Sequence, residues 1–166
     1  MDIQAISVIV ADDHKTSRDI VVELLRSEGV RDIRQADDGG EAYKLVCART
    51  PDILILDLEM PYDGVRTLRQ IRTAPDSPNR ELPVLMMTAY CTKARIEAMR
   101  DAGTTEIVAK PLTGAALMGR LRSMLRYPRP FIDLTCYVGP DRRRLALGDY
   151  PGPFRRSTDS PVFEIA

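Results

Sequence analysis

Five short apolar runs alternate with segments of helical periodicity, and this alternation restricts the fold more than any other feature of the chain. The apolar runs are residues 5–11, 30–36, 52–57, 82–89 and 105–110. Apolar residues recur at helical spacing over residues 16–29, 39–50, 65–73, 92–103 and 113–126. Because right-handed crossovers place helices on both faces of a parallel sheet, we predict an α/β fold with a doubly wound five-stranded parallel sheet.

The composition is that of an ordinary globular protein. Of 166 residues 44% are hydrophobic, and 24 basic residues balance 24 acidic ones, so net charge attracts neither nucleic acid nor a membrane surface. No apolar stretch approaches the about 20 residues of a membrane-spanning helix, and the N-terminus lacks an export signal. We expect a cytoplasmic protein that contacts no membrane and does not bind DNA. Three cysteines without a CxxC pair indicate reduced, buried thiols.

The last forty residues differ in character from the rest of the chain. They contain six prolines and two arginine clusters, which separates a predicted domain at residues 1–127 from a Pro/Arg-containing C-terminal extension at residues 128–166. We recognise no effector domain in this tail. Apolar and polar residues alternate from Ile132 to Val138, which predicts a short amphipathic strand. That strand could pair with a sheet edge in the same chain or in a second copy, and the tail would then support a homodimer.

Polar side chains stand where the predicted strands end. Asp12 and Asp13 follow the first strand, Asp57 ends the third, Thr88 follows the fourth and Lys110 follows the fifth. The carboxyl ends of parallel strands meet at one edge of the sheet, so these side chains should converge. Three carboxylates repel one another unless a cation lies among them, and oxygen ligands suit Mg²⁺. A carboxylate can also attack a phosphoryl group, with the metal and the lysine neutralising its oxygens.

Each of these residues also has a simpler interpretation when taken alone. Either aspartate after the first strand could cap the first helix, Thr88 could be an ordinary hydroxyl at a strand end, and Lys110-Pro111 could be a turn. His14 lies beside the acidic pair and resembles a base. We interpret it as a solvated residue at the start of a helix, because the nucleophile required here is already a carboxylate.

The motifs VIVADDHKTSR, LILDLEMP, VLMMTA and AKP occur in an order and at a spacing that resemble the receiver domain of two-component response regulators, including stand-alone receivers of the chemotaxis type. The resemblance covers roughly residues 5–127. It implies a flavodoxin-like sheet with strand order 2-1-3-4-5. It also implies a single-domain response regulator that is not an enzyme beyond its own phosphoryl transfer and dephosphorylation.

The resemblance implies a role for each acidic residue of the site. Asp57 would be the phosphoacceptor and would share the metal. Asp13 would be a direct ligand of Mg²⁺, Asp12 a second acidic member acting partly through water, and Glu59 a ligand through its backbone carbonyl. The phosphoryl donor would be a histidine kinase or a histidine phosphotransfer protein.

The resemblance also implies which residues would hold the phosphoryl group. Thr88 would hydrogen-bond it, Ala89 would contribute a backbone N–H, and Lys110 would pair with its oxygens. Pro111 would follow a cis peptide that directs the lysine inward. Phosphorylation would repack the surface of the fourth helix, fifth strand and fifth helix, and the output would be contact with a downstream protein target.

Two departures from the family pattern stand near the site. The loop PYDG at residues 61–64 is one residue shorter than the common Pro-x-x-Asp-Gly, and Ile107 replaces the aromatic residue often found three positions before the lysine. Tyr90 is the nearest aromatic substitute. Tyr90 and Glu59 should flank the path of a hydrolytic water, and we predict that they set the lifetime of the phosphoryl group.

A rival interpretation makes the protein a ligand-binding adaptor. Its arginine clusters, residues 142–144 and 155–156, could grip a cyclic dinucleotide or RNA. Interspersed aspartates dilute their charge, and no aromatic stacking ladder is present. The segment at residues 73–83 reads as a surface insertion rather than a binding element.

Overall fold

The predicted α/β architecture is confirmed. The computed structural model describes residues 3–142. Its main sheet has five parallel strands in the flavodoxin-like order β2-β1-β3-β4-β5. The strands are β1 (Ser7–Ala11), β2 (Asp32–Ala36), β3 (Ile53–Asp57), β4 (Val84–Thr88) and β5 (Glu106–Ala109). The helices are α1 (Lys15–Ser27), α2 (Gly39–Ala48), α3 (Gly64–Thr73), α4 (Lys93–Asp101) and α5 (Gly114–Arg126).

Two apolar layers cover the sheet, one on each face. Val8 and Val10 of β1 belong to a layer that includes residues of α1 and α5, whereas Ile9 belongs to a layer that includes residues of α2, α3 and α4. Side chains alternate between the faces of a strand, so a strand covered on both sides must be apolar throughout. This explains why every residue of β3 is buried, including the terminal Asp57.

The last helix packs as its sequence suggests, with one addition. Leu117 and Leu121 are buried against the sheet, but Leu125 is only partly buried. Two methionines, Met118 and Met124, complete the buried face. None of the helices in the described part of the chain is long and apolar enough to cross a membrane.

The extension begins with a hairpin, so the prediction of one strand from Ile132 to Val138 is wrong. Strand β6 (Phe131–Leu134) pairs antiparallel with β7 (Tyr137–Pro140), and the two form a separate sheet. Both arms of a hairpin keep the two-residue period, so the alternation did not reveal the turn. Pairing of this segment with the main sheet in the same chain is also wrong, since β6 and β7 pair with each other.

The hairpin and the segment at residues 73–83 are tied to the domain. Arg80 pairs with Asp133 of the hairpin at 2.9 Å, and Leu82 is buried. Tyr43 of α2 donates a hydrogen bond to Asp76 at 3.0 Å. The segment is therefore packed against the core rather than a loose insertion.

The prediction of buried thiols is wrong. Cys47, Cys91 and Cys136 are free, as expected, but all three are exposed. Cys47 follows the buried Val46 by one position in α2, and a step of about 100° along a helix is enough to turn a side chain outward.

Candidate functional site

The carboxyl ends of β1, β3 and β5 bring a lysine between two buried carboxylates. Asp12 follows β1, Asp57 ends β3, and both side chains are almost fully buried. Lys110 Nζ lies 2.8 Å from Asp12 Oδ2 and 2.8 Å from Asp57 Oδ1. The sequence placed these three residues at one edge of the sheet, and the structure brings them into contact.

Asp12 is held by the start of α1. Its Oδ1 accepts a hydrogen bond from His14 N at 2.9 Å, and its Oδ2 accepts one from Ser17 Oγ at 2.6 Å. Arg18 donates to the backbone carbonyl of Asp12. The sequence reading missed Ser17 and Arg18, although both belong to the motif VIVADDHKTSR. Asp12 thus bonds to His14 N and to Ser17 in the first turn of α1, but the N-cap residue is His14 and not Asp12, so the helix-cap interpretation is wrong.

Asp57 is the less satisfied of the two buried carboxylates. The approach of Lys110 to Asp57 Oδ1 is close but not angled as a hydrogen bond, and this buried oxygen has no hydrogen-bond partner among the described residues. Burial raises the pKa of Asp57, Lys110 opposes that rise, and Asp12 and Glu59 add to it. The carboxylate is therefore held in a site that stabilises its charge incompletely.

Lys110 remains a cation in this site. Burial acts to lower its pKa, but its contacts with Asp12 and Asp57 outweigh burial, and the pKa is raised above its ordinary value. The peptide bond between Lys110 and Pro111 is cis, as the resemblance implies. The backbone N–H of Lys110 donates to the carbonyl of Thr88 at 2.8 Å, which fixes the lysine to the end of β4.

Asp12, Asp13 and His14 supply oxygen and nitrogen atoms within 4.8 Å of one another. His14 is the N-cap of α1, its side chain is 76% exposed, and its Nδ1 lies 2.7 Å from Asp13 Oδ1. It is the solvated helix-start residue that we expected. Asp12, Asp13 and Asp57 supply three carboxylates against the single ammonium of Lys110, and Asp57 Oδ1 has no hydrogen-bond partner among the described residues. This set of carboxylate oxygens fits a hard divalent cation.

The hydroxyl of Thr88, at the end of β4, bonds to the backbone of the turn that follows the strand. The Thr88 side chain is buried, and its hydroxyl oxygen accepts from Tyr90 N at 3.1 Å and lies 3.2 Å from Tyr90 O. Ala89 between them is exposed. In this structure the threonine hydroxyl therefore bonds to the backbone of the following turn.

Arg95 connects two residues that the sequence singled out. Its guanidinium forms an ion pair with Glu59 and lies over the Tyr90 ring, 5.1 Å from the ring centroid. Tyr90 is 62% exposed, so this contact lies at the surface beside the site. The sequence analysis missed Arg95, because a helix arginine carries no signal until the β3–α3 loop and α4 are placed side by side.

Gly64 brings the shortened loop back against Asp57. It is the first residue of α3, and a Cβ at this position would overlap the carbonyl oxygen of Asp57. Asp63 caps the helix by accepting from Arg66 N at 2.7 Å. The loop after β3 is therefore compact because its last residue has no side chain.

Replacing Gly64 with alanine is expected to destabilise the fold by about 1–3 kcal/mol, because the overlap is with backbone and cannot be relieved by a rotamer change. Gly119→Ala is the matched control. Nothing lies within 4 Å of a Cβ at Gly119, in α5, so this change should stabilise by about 0.5–1 kcal/mol. Urea denaturation measures both, and equal effects would contradict the packing described.

Asp57→Asn is expected to stabilise the protein in EDTA at neutral pH, since it removes a buried carboxylate whose charge the site stabilises incompletely. The folded-state pKa of Asp57 lies above its unfolded value, so the folded form binds the proton more tightly. The wild type should therefore lose stability as pH rises through the window between those two pKa values. The variant should not show that loss.

Denaturation of both proteins between acid and neutral pH tests this. Asp37→Asn is the control, because Asp37 is exposed, and it should change stability by less than about 0.5 kcal/mol. A variant that is less stable than wild type at neutral pH in EDTA would show that Lys110 compensates Asp57 fully.

The protein-family model of the response regulator receiver domain matches residues 8–122. The chain belongs to the response regulator receiver family. This receiver chain is 31% identical to response regulator MprA of Mycolicibacterium vanbaalenii over 158 residues, which cover 88% of the chain and 65% of that protein. It is 32% identical to response regulator MprA of Mycobacterium leprae, covering 85% of the chain and 64% of that protein. The chain thus spans a little under two thirds of these relatives.

Solved structures agree with this assignment. A response regulator from Chloroflexus aurantiacus superposes with a TM-score of 0.67 at 30% identity, covering 73% of this chain and 98% of that one. The receiver domain of sensor histidine kinase PA1611 from Pseudomonas aeruginosa superposes with a TM-score of 0.64 at 25% identity, covering 70% and 94%. That structure holds a magnesium ion in its active-site cleft. The receiver identified by its motifs is therefore a receiver by family and by fold.

Proposed function

We propose that this receiver accepts a phosphoryl group on Asp57 from a phosphohistidine of a histidine kinase or histidine phosphotransfer protein. One observation carries the proposal: the buried Asp57 carboxylate has an oxygen without a hydrogen bond in the described part of the chain, and the Lys110 ammonium lies 2.8 Å from it. A buried, unsatisfied carboxylate beside a fixed cation is suited to accept an electrophile with a negative oxygen shell.

In the transfer, a carboxylate oxygen of Asp57 attacks phosphorus and the P–N bond to the donor histidine breaks. The electron pair of that bond stays on the imidazole nitrogen, which takes up a proton from solvent. Lys110, whose ammonium lies 2.8 Å from Asp57, would face the phosphoryl oxygens. Asp12 and Asp13, with Asp57 and the Glu59 carbonyl, would hold Mg²⁺, which supplies further neutralisation of the phosphoryl charge.

The output would follow from a change at Thr88. A phosphoryl group on Asp57 offers strong acceptor oxygens, and the Thr88 hydroxyl would leave Tyr90 to donate to it, with Ala89 N–H and Lys110 completing the shell. Release of Tyr90 would shift the turn before α4 and alter the surface of α4, β5 and α5. We propose that a downstream protein reads this surface, and that the chain works as a cytoplasmic single-domain response regulator with residues 128–166 as an extension.

Intact-mass measurement with acetyl phosphate and Mg²⁺ tests the proposal. Wild type is expected to gain the mass of one phosphoryl group, and to gain none in EDTA. Asp57→Asn should gain none in either condition. A wild type that never gains mass under these conditions would show that the chain is a receiver fold used only for binding.

Glu59, Tyr90 and Arg95 should set the lifetime of the phosphoryl group. Arg95 contacts both the Glu59 and the Tyr90 side chains. The double variant Glu59→Ala/Tyr90→Ala should therefore open the path for water. It should speed dephosphorylation about tenfold, which corresponds to a barrier lower by about 1.4 kcal/mol. Arg95→Gln should act in the same direction. Loss of radiolabelled phosphate from the purified protein measures the rate, with the exposed Arg69→Gln as control. Unchanged rates in both variants would refute this role.

The adaptor interpretation depends mostly on residues outside the described part of the chain. Of its arginines only Arg142 is described, and it pairs with Asp101 at 2.9 Å. Arg143, Arg144, Arg155 and Arg156 lie outside the described residues. Binding of cyclic dinucleotide or RNA by the tail remains a prediction.

A further inference from the structure

A cleft of about 300 Å³ lies along β5, the edge strand of the main sheet. Helices α4 and α5 flank it, and the C-terminal hairpin contributes Tyr137 and Pro140 to its wall. It is separate from the pair of carboxylates at Lys110, since none of the residues that hold Lys110 lines it. Part of its wall comes from residues beyond 122, where the receiver family match ends.

The charge of the lining is strongly positive. The lining contains four arginines and one carboxylate. The carboxylate belongs to Glu106, and the arginines are Arg100, Arg120, Arg129 and Arg142. Arg120 lies 3.0 Å from one oxygen of Glu106 and Arg129 lies 3.4 Å from the other. Two guanidinium groups thus share one carboxylate, which leaves positive charge on this wall.

The other two arginines retain capacity for an anion. Arg142 stacks over Tyr137 at 3.9 Å and pairs with Asp101, but its buried Nε has no hydrogen-bond partner among the described residues. Arg100 forms no ion pair with any of residues 3–142. The buried Nε of Arg142 carries a desolvation cost that an incoming acceptor relieves, whereas Arg100 contributes an exposed positive charge.

The remaining residues of the lining suit the organic part of a small molecule. Ile96 and Ile107 give the cleft apolar walls between the arginines. Its volume is at the lower end of the range for small-molecule sites, about 300–1,000 Å³. A protein that contacts α4, β5 and α5 would cover about 800 Å² around the cleft, so a ligand confined to the cleft itself would be a small molecule. Planar guanidinium groups bind the oxygens of a phosphate or a carboxylate in pairs. A ligand with several phosphates offers such oxygen pairs to more than one arginine of the cleft at once.

We propose that this cleft binds a small organic anion carrying two or more phosphate groups. The phosphates lie against Arg100 and Arg142, and the organic part lies against Ile96 and Ile107. The proposal is independent of Asp57 chemistry, so it stands or falls separately from phosphorylation.

Calorimetric titration of the full chain with ATP, in EDTA, tests the proposal. Binding is expected, with tripolyphosphate weaker because it lacks an organic part. Arg100→Gln and Arg142→Gln should each weaken ATP binding about tenfold, the effect of losing one charge-assisted hydrogen-bonded pair. Arg100 is the cleaner test, because it forms no ion pair with the described residues and is exposed, so its replacement should leave thermal unfolding unchanged.

Two control variants test whether ATP binds in this cleft. Arg31→Gln removes an arginine that is also exposed but lies outside the cleft, and it should leave the affinity unchanged. Lys110→Met should also retain binding, since it changes only the phosphorylation site. Absence of ATP binding at millimolar concentration would overturn the proposal. So would affinity that is unaffected by Arg100→Gln and Arg142→Gln, affinity lost with Lys110→Met, or equal binding of a polyglutamate peptide.

Discussion

Lys110→Met is expected to slow phosphorylation by acetyl phosphate about 100- to 1000-fold, the usual cost of removing one fixed group that stabilises transition-state charge. Lys110 Nζ lies 2.8 Å from both Asp12 and Asp57, so it is in place before a donor arrives. Methionine keeps a similar length and flexibility but cannot neutralise the phosphoryl oxygens. The rate of mass gain under saturating Mg²⁺ measures the effect.

Lys44→Met is the matched control for this result. Lys44 is exposed on α2, away from the site, and its replacement should leave the rate unchanged. Lys110→Met also leaves Asp12 and Asp57 buried without their common cation, so circular dichroism should establish that the variant is folded. A folded Lys110→Met variant that is phosphorylated as fast as wild type would contradict the role assigned to the lysine.

Arg72→Ala is expected to lower the free energy of unfolding by about 3–5 kcal/mol, because the side chain is buried and its donors have specific partners. Its Nε and Nη2 donate to the carbonyl of Gly103 at 3.1 and 3.0 Å, and its Nη1 donates to the carbonyl of Arg80 at 2.6 Å. Its guanidinium also lies over the Phe131 ring, 5.6 Å from the centroid. Burial lowers the pKa of Arg72 to about 10.

The large effect has a definite structural origin. Alanine would leave two carbonyl groups without this donor and would open a cavity where α3, the segment at residues 73–83 and the hairpin meet. Arg69→Ala, on the exposed face of the same helix, should cost less than about 0.5 kcal/mol. Equal denaturation midpoints for Arg72→Ala and wild type would contradict this account.

Arg72 also bears on the predicted boundary at residue 127. Since its guanidinium contacts Phe131, and Arg80 contacts Asp133, we expect deletion of residues 128–166 to destabilise the receiver rather than release an independent tail. A truncated protein as stable as the full chain would instead support the boundary at 127.

The sequence predicted the sheet because apolar strands covered on both faces leave a direct signal, and it placed Asp12, Asp57 and Lys110 together because parallel strand ends meet. It did not predict the hairpin, since a period of two continues through a short turn. Nor did it predict Arg72 or Arg95. Arginines on helices normally face solvent, and only packing against Gly103 or Glu59 distinguishes these two.

The most direct test of the account is the position of the phosphoryl group. After incubation with acetyl phosphate and Mg²⁺, borohydride reduction converts an aspartyl phosphate to homoserine, and peptide mass mapping locates it. The account predicts homoserine at position 57 alone, since Asp57 Oδ1 is buried beside Lys110 and has no hydrogen-bond partner among residues 3–142. Homoserine at Asp12 or Asp13, or none in the peptide that contains residue 57, would contradict it.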